Sequence, residues 1–325
     1  MKQYICIGRR VFVWFFLVAG SAWGQPVSTP GTGLPQALFR LREMDLHLHA
    51  GLERRTDLES WIHTMVADGR RVILLLDHLE LYRKTPQELM EWNKKNQFPG
   101  VYPTGKEGRN ALMQDFQEAS NRRRDVILFR GWEVYEGELD TGLEPEPMDM
   151  AEVIGWHVSP RNGQKAPDGK DLIRRVKQIK ATQNRFPVPM IVFHPFSMRL
   201  ENLTRTAIHA GCDPKTLTVE ECRFFQAGEQ EELVRLLAGA SIYIEMSLDH
   251  DKYWDHPAMQ QAMMADIKPL AERGVQFTIA TDHHSPASAA KSFHPERYCL
   301  PCGVDEANTN TIVRELLALR AKKSL

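Results

Sequence analysis

Short apolar segments rich in β-forming residues alternate along this chain with longer segments of helical period, and this alternation constrains the fold most strongly. It predicts seven strands, at Met44–His49, Arg71–Asp77, Val126–Glu133, Glu152–His157, Met190–His194, Ile242–Met246 and Gln276–Thr281. Helices are predicted at Leu58–Asp68, Pro86–Asn93, Leu112–Arg122, Lys170–Gln183, Glu229–Ala238, Pro257–Arg273 and Val304–Lys322. Repeated strand–helix units build parallel sheets. The pattern therefore predicts an α/β fold with a single domain at residues 38–325, because α/β barrels often extend to about 250 residues or more.

Most of the predicted strands end in a side chain that can bind a metal ion. Six of the seven do so, through His47 and His49, Asp77 and His78, Glu133, His157, His194 and Asp282. The sixth strand carries Glu245 near its end. Parallel strands in such folds point the same way, so these side chains are expected to meet on one face. A core histidine satisfied by a hydrogen bond explains any one of them, but not all of them together.

These side chains have the chemistry of a transition-metal site. His47 and His49 are two residues apart, so on a strand both imidazoles point to the same face and can bind one cation. Histidine nitrogens mixed with carboxylate oxygens suit Zn, Mn or Fe better than Mg or Ca, and the set contains no cysteine. Glu133 is the best-placed carboxylate to bridge two ions, as paired-metal sites commonly require. The alternative for Glu133 is a salt-bridged barrel residue.

Four motifs, in this order, resemble those of the PHP family, the polymerase and histidinol phosphatase superfamily. They are Asp45-Leu46-His47-Leu48-His49, Asp77-His78, His194-Pro195 and Thr281-Asp282-His283-His284. Gly131-Trp132-Glu133 and Gly155-Trp156-His157 resemble two further strand ends of that family, so the similarity spans residues 44–288. The resemblance implies a distorted, TIM-like (β/α)7 barrel with two or three divalent metal ions at the C-terminal ends of its strands.

The resemblance also implies how the ligands divide among the ions. For a first metal it implies the ligands His47, His49, Glu133 and Asp282. For a second metal it implies Glu133, His157 and His194. His78 and His284 then belong to a third. Asp77 is expected to orient His78 or to take protons, and its alternative role is simply to end the strand.

The loop after the His-x-His motif departs from the family pattern. The family commonly supplies an Asp or His to the third metal there, whereas this chain reads Ala50-Gly51-Leu52-Glu53-Arg54-Arg55. Either Glu53 replaces that ligand, or the third site is weak and an arginine's positive charge occupies the region. We expect Arg54 or Arg55 to bind an anionic group of the substrate through two hydrogen bonds. The alternative is a pair of solvated loop arginines.

These features favour a metal-dependent hydrolase that activates water at a multinuclear centre. The resemblance makes a small, anionic phosphoric ester the first choice of substrate class. Two alternatives stay open: an amide or lactone hydrolase on the same centre, and an exported metal-binding protein without turnover. The chain lacks a Gly-x-Ser-x-Gly elbow, a P-loop and a dinucleotide-binding glycine motif. Its 41 basic and 42 acidic residues also lack the basic excess typical of nucleic-acid binding.

The first 24 residues have the pattern of a secretory signal peptide. Three basic residues precede an apolar run at Val11–Ala19, and Ala22-Trp23-Gly24 supplies small residues for cleavage. The alternative is a membrane anchor, but a helix needs roughly 20 apolar residues to cross a bilayer. We expect cleavage after this segment, a flexible lead-in at residues 25–37, and export to the periplasm or the extracellular space. Loss of the three basic residues leaves a net charge of −4.

Cleavage would leave four cysteines, Cys212, Cys222, Cys299 and Cys302. In an oxidising compartment an even number favours disulfides, and Cys212–Cys222 with Cys299–Cys302 is the local pairing. Cys299-Leu300-Pro301-Cys302 also matches a thioredoxin-like motif, but the preceding Ser292–Tyr298 is predicted to be a loop instead of a strand. A loop disulfide or idle thiols are therefore favoured over a redox centre.

Segments between the strands are candidates for the wall of a substrate pocket. They are Thr85–Arg124 with Trp92, Tyr102 and Lys106, and Phe196–Gly239, with Trp132, Trp156 and Tyr253 as further candidates. A polar cluster at Asp249–His256 follows the sixth strand, and it is as typical of a solvated loop as of a functional segment.

Overall fold

The structure is a computed structural model that describes residues 38–51, 58–96, 103–135, 150–161, 164, 166–285 and 293–323. Within them, seven strands form one sheet in sequence order, and every neighbouring pair is parallel. The strands are β1 (Met44–His49), β2 (Val72–His78), β3 (Ile127–Val134), β4 (Val153–Trp156), β5 (Met190–Val192), β6 (Ile242–Ser247) and β7 (Phe277–Ala280). All seven predicted strands are present, which confirms the α/β class.

Helices follow the strands and pack around them. They are α1 (Leu58–Ala67), α2 (Pro86–Asn96), α3 (Gly105–Arg122), α4 (Gly169–Gln183), α5 (Pro195–His209), α6 (Val219–Cys222), α7 (Glu229–Leu237), α8 (Asp249–Trp254), α9 (Pro257–Glu272), α10 (Glu296–Cys299) and α11 (Glu306–Lys323). The sequence patterns did not indicate α5, α6, α8 and α10. The solvated-loop interpretation of Asp249–His256 was therefore wrong, since most of it is helical and His250 is fully buried.

The sheet closes on itself because the chain beyond β7 runs back beside β1. The Asp282 N–H donates to the carbonyl oxygen of His47 at 3.0 Å, and the His49 N–H donates to that of His283 at 3.1 Å. The result is a nearly closed (β/α)7 barrel, as predicted. Closure pairs the two edges that an open sheet exposes.

Asp45 reinforces this closure from inside the barrel. Its carboxylate accepts hydrogen bonds from the backbone N–H of Thr281 at 2.9 Å and from the Thr281 hydroxyl at 2.7 Å. The side chain is fully buried, and burial raises the pKa of Asp45 to about 6. The register between β1 and β2 shifts between Asp45 and Leu48, the kind of irregularity that re-aims side chains beside functional sites.

Apolar residues fill both faces of the strands. The segment from Val72 to Leu76 is buried throughout, the continuous run expected of a parallel strand covered by helices. Trp132 and Trp156 are also fully buried, so their prediction as pocket-wall residues was wrong. Along β3 and β4 these two tryptophans alternate with residues that face the inside of the barrel, so their rings face the helical layer.

The sequence favoured either local disulfides or idle thiols for the four cysteines, and in the structure they are thiols. All four predicted partners are free, with Cys212 exposed and the other three buried. The neighbourhood of Cys299 also differs from the loop predicted for it, because Cys299 ends α10. Burial raises the pKa of the Cys302 thiol to about 12, so this thiol is unreactive at neutral pH.

The predicted signal peptide and lead-in, residues 1–37, lie outside the described residues. Among the helices of the described part, none combines the length and the apolar character needed to cross a membrane.

Candidate metal centre

Eight histidine, glutamate and aspartate side chains converge at the C-terminal ends of the strands. They form four overlapping groups in which the ligand atoms lie within 4.8 Å of one another: His49–His78–His284, His47–His49–Asp282, His47–Glu133–His194 and His78–Glu133–His157. These are the eight residues that the sequence analysis names as candidate ligands. Three strands and the segments that follow three others supply them, so they meet only because the barrel closes.

Glu133 lies at the centre of this cluster, and five histidines surround its two oxygens. The Oε2 atom lies 3.1 Å from His49 Nε2, 3.3 Å from His78 Nδ1 and 3.4 Å from His47 Nε2, and the Oε1 atom contacts His157 Nε2 and lies 3.9 Å from His194 Nε2. The carboxylate is almost completely buried. It therefore occupies the position that a ligand shared between two ions requires.

Asp282 and His284 form the solvent-facing side of the cluster. Asp282 Oδ1 lies 3.2 Å from His49 Nε2 and 3.3 Å from His284 Nε2. The side chains of Asp282 and His284 are 27% and 35% exposed, whereas the histidines of β1 are buried. Among the candidate ligands, these two side chains are therefore the most exposed to solvent in the part of the chain that the structure describes.

The observed groups do not coincide with the division that the family resemblance implies. His78 joins Glu133 and His157, whereas His194 groups with Glu133 and His47. His78 also belongs to the group with His284, so its imidazole lies between two of the candidate positions.

Two of the candidate ligands have an unusual backbone. Among the non-glycine residues that the structure describes, only His194 and Asp282 have a positive φ, at 31° and 54°. The left-handed region costs an L-residue roughly 1–2 kcal/mol, and such residues cluster at functional sites. Each lies two residues beyond the end of a strand, so the backbone turns sharply there and aims the side chain across the barrel mouth.

The packing of these groups shifts their pKa values in opposite directions. Burial alone would raise the pKa of the Glu133 carboxyl, but His78 and His157 beside it hold that pKa well below its usual range. Burial alone would lower the pKa of His49, but the two carboxylates beside it raise that pKa to about 10. At His194, burial lowers the pKa to about 3, so this imidazole is neutral at neutral pH.

Distances within the cluster fit bound cations better than bound protons. His47 Nε2 and His49 Nε2 lie 3.1 Å apart, so at most one hydrogen can occupy the space between them. Neither oxygen of the buried Glu133 makes a regular hydrogen bond within the part of the chain that the structure describes. A buried carboxylate needs hydrogen bonds or a positive partner. A divalent cation accepts lone pairs from imidazole and carboxylate alike, so these residues fit Zn, Mn or Fe.

Asp77 lies beneath the cluster and accepts hydrogen bonds from two residues that follow it in the chain. Its Oδ1 accepts the backbone N–H of His78 at 2.9 Å, and its Oδ2 accepts the hydroxyl of Tyr82 at 2.8 Å. A side chain at Gly51 would collide with this carboxylate, because a Cβ there would lie 1.7 Å from Oδ2. Asp77 therefore holds the backbone at His78, in keeping with the orienting role expected for it.

Two residues at the centre were not assigned a role from the sequence, although Glu245 was noted near the end of its strand. Glu245, on β6, accepts a hydrogen bond from His47 Nδ1 at 2.8 Å, and Phe193 stacks on the same imidazole with 3.8 Å between ring centroids. The available signal for Glu245 was a carboxylate at the inward position of an otherwise apolar strand. Phe193 had no such signal, because an apolar residue at a strand end is typical of the core.

Tyr135 is a third residue that the sequence analysis missed. It follows β3 directly, is 38% exposed, and stacks on His157 with 4.2 Å between centroids and 11° between planes. It also lies beside His78, at 5.4 Å. The ring therefore forms part of the rim of the cluster.

The two arginines predicted to bind an anionic group, Arg54 and Arg55, lie outside the described residues, as does Glu53. Their positions relative to the metal centre therefore stay a prediction.

Comparisons with known proteins found similar folds among solved structures. Neither a protein-family model nor a curated protein matches this chain. The histidinol phosphate phosphatase of Lactococcus lactis subsp. lactis Il1403, solved with zinc, L-histidinol and phosphate, is 12% identical over 85% of this chain and 94% of its own, with a TM-score of 0.46. Agrobacterium tumefaciens ATU3138 is 10% identical over 82% of this chain and 89% of its own, with a TM-score of 0.38. The Campylobacter jejuni dihydroorotase is 13% identical over 93% of this chain and 86% of its own, with a TM-score of 0.35.

Proposed function

We propose that this protein is a metal-dependent hydrolase with a phosphoric ester as its substrate class. One observation carries the proposal: eight His, Glu and Asp side chains meet in four overlapping groups around the buried carboxylate of Glu133. When two or three divalent ions are bound, they supply an activated water and neutralise the negative charge that develops on the substrate. The sequence motifs shared with the PHP family support the choice of ester.

The position of each residue in the cluster indicates its role in metal binding and in the reaction. The Glu133 carboxylate faces histidines on both sides and is placed to be shared between ions. His194 offers a neutral imidazole because its pKa is lowered to about 3. Asp282 and His284 lie at the exposed side, where a substrate oxygen arrives. Zn, Mn and Fe are all compatible with this donor set.

Metal content and turnover, measured together, test the proposal. Elemental analysis of protein purified without chelator is combined with a panel of chromogenic phosphomonoester, phosphodiester, amide and lactone substrates. We expect stoichiometric metal and hydrolysis of a phosphoric ester. Metal without hydrolysis of any ester would indicate a metal-binding protein, and preference for an amide or lactone would replace the ester.

His194→Ala is the variant that links the cluster to turnover. It should lower both the metal content and the rate, because it removes a ligand from the group shared with Glu133. His209→Ala is the matched control, since His209 is an exposed histidine on the neighbouring helix α5. Full metal content and full activity in His194→Ala would show that the proposed centre is wrong.

We also propose that Arg54 or Arg55 binds the anionic group of the substrate. The support is the position of both residues in the sequence shortly after the His-x-His motif. Replacing both with alanine should raise the KM of an anionic substrate more than that of a neutral one. Equal effects on the two substrates would rule this binding role out.

Export is the last part of the proposal. A basic start, an apolar run too short to span a membrane as a helix, and small residues at the cleavage position support it. Mass spectrometry of the protein secreted by its native cell should find an N-terminus at Gln25. Recovery of a chain that still begins at Met1 would contradict cleavage.

A further inference from the structure

We propose that Glu245 is a positioning residue that holds two metal ligands, His47 and His194, in their binding orientations. The inference rests on the metal centre proposed above and adds a residue outside the candidate ligand set. Glu245 is fully buried inside the barrel, on β6. Burying a carboxylate costs free energy unless its oxygens are hydrogen-bonded, so the hydrogen bonds of Glu245 indicate its role in the barrel.

One oxygen of Glu245 sets the orientation of His47. The Oε2 atom lies 2.8 Å from His47 Nδ1. With the Nδ1–H donating to the carboxylate, the lone pair of His47 lies on Nε2, the atom that faces Glu133 and Asp282 at 3.4 and 3.3 Å. A carboxylate behind a ligand imidazole selects this tautomer and increases its basicity toward a metal.

The other oxygen of Glu245 holds the backbone at His194. The Oε1 atom accepts the His194 N–H at 3.2 Å. His194 has left-handed backbone angles, φ 31° and ψ 42°, and the next residue is a proline that begins α5. The hydrogen bond from Glu245 therefore stabilises a strained turn from which the imidazole of His194 reaches the cluster.

Phe193 completes the restraint on His47. Its ring stacks on the imidazole at 3.8 Å, so the carboxylate holds the edge of His47 and the phenyl ring covers its face. Gly155 leaves the room that this ring needs, because a Cβ there would lie 1.7 Å from Phe193. Ligands on β1 and after β5 thus depend on one carboxylate from β6.

Zinc affinity measured by chelator competition tests this role without any need for turnover. Two variants change different properties of Glu245. Glu245→Gln keeps the length and loses the charge, and its single amide oxygen cannot accept both hydrogen bonds in the same way. Glu245→Asp keeps the charge but is shorter by one methylene. The matched control is Glu229→Gln, the same change at a buried glutamate on α7 that caps the Gln226 N–H.

We expect both Glu245 variants to bind Zn about 10–100-fold more weakly than the wild type, with Glu229→Gln unchanged. All affinities are measured below the unfolding transition, where circular dichroism shows each variant folded. Lower global stability alone leaves the affinity of a fully folded chain unchanged, so a purely structural role would not produce this loss.

Two results would overturn the positioning role. Wild-type affinity in Glu245→Gln would show that the carboxylate does not act on the ligands. Wild-type affinity in Glu245→Asp would show that the negative charge acts at a distance and that orientation does not matter. If one variant fails to fold, the other still decides. A wild-type protein that binds Zn but hydrolyses no substrate would refute the proposed hydrolase and leave this test intact.

Discussion

At the scale of single residues, the left-handed backbone of His194 predicts a conflict between stability and function. Glycine adopts this conformation without strain, whereas alanine does not. Among metal-free proteins, His194→Gly should therefore be more stable than His194→Ala by about 1 kcal/mol. Both variants should lose metal and activity alike, since both lack the imidazole.

Urea unfolding in the presence of chelator measures this difference. Gly155→Ala is a useful contrast, because there the added methyl group meets the ring of Phe193 and glycine is needed for space instead of for its backbone angles. Equal stability of the glycine and alanine variants at position 194 would show that the turn is not strained.

The candidate ligands and the supporting residue Asp77 were predictable from the sequence, whereas the roles of Glu245 and Phe193 were not. His157 directly follows an apolar strand and His194 lies two residues beyond one, and in a parallel sheet that position alone determines which face they occupy. Glu245 acts through hydrogen bonds to residues 198 and 51 positions away, so no local pattern reveals its partners. The strain at Asp282 is likewise invisible before the barrel closes, because it belongs to the turn that brings the chain back beside β1.

At the scale of elements, the strands were predicted within two residues at each end, whereas helices α5, α6, α8 and α10 were missed. Apolar runs bounded by polar residues indicate strands of a parallel sheet reliably. Helix α5 begins at Pro195, immediately after a strand, and proline suits the first position of a helix as well as it suits a loop. Helix α8 has only six residues, too few to show a helical period.

Burial of His250 on α8 predicts an acid-sensitive element. Burial lowers the pKa of His250 from 6.5 to about 4. The unfolded chain therefore binds a proton at this residue between those pH values while the folded chain does not, so stability falls as the pH drops through this window. Between pH 7 and pH 4 the wild type should lose about 2–3 kcal/mol more stability than His250→Asn.

Denaturant unfolding at the two pH values, with chelator present, measures this difference. Asparagine does not titrate, and it places an amide group near the site of Nδ1, which lies 2.8 Å from the carbonyl oxygen and 3.1 Å from the backbone nitrogen of Ser247. His209→Asn, at an exposed position, should retain the pH dependence of the wild type. An identical loss in wild type and His250→Asn would show that His250 is protonated in the folded protein.

At the scale of the whole molecule, the centre joins parts of the chain that are far apart in sequence. Its ligands come from β1 at one end and from the segment after β7 at the other, and Glu133 contacts them from the third strand. An unfolded chain cannot present these groups together, so a divalent ion held by all of them would bind the folded barrel in preference to the unfolded chain. Metal binding would then be coupled to barrel closure, because the candidate ligands Asp282 and His47 also share a closing backbone hydrogen bond.

This coupling predicts that chelation lowers the stability of the whole barrel. Free Zn at 100 times its dissociation constant should raise the free energy of unfolding by about 2.7 kcal/mol for each site, and by about 4.1 kcal/mol at 1,000 times. Calorimetry with and without chelator should therefore show a shift of several degrees in Tm. His194→Ala should show a smaller shift, whereas His209→Ala should show the full one. A wild-type Tm that is the same with excess Zn and with chelator would mean that the eight side chains form no metal site, because an ion held by ligands from both ends of the chain must stabilise the fold that assembles them.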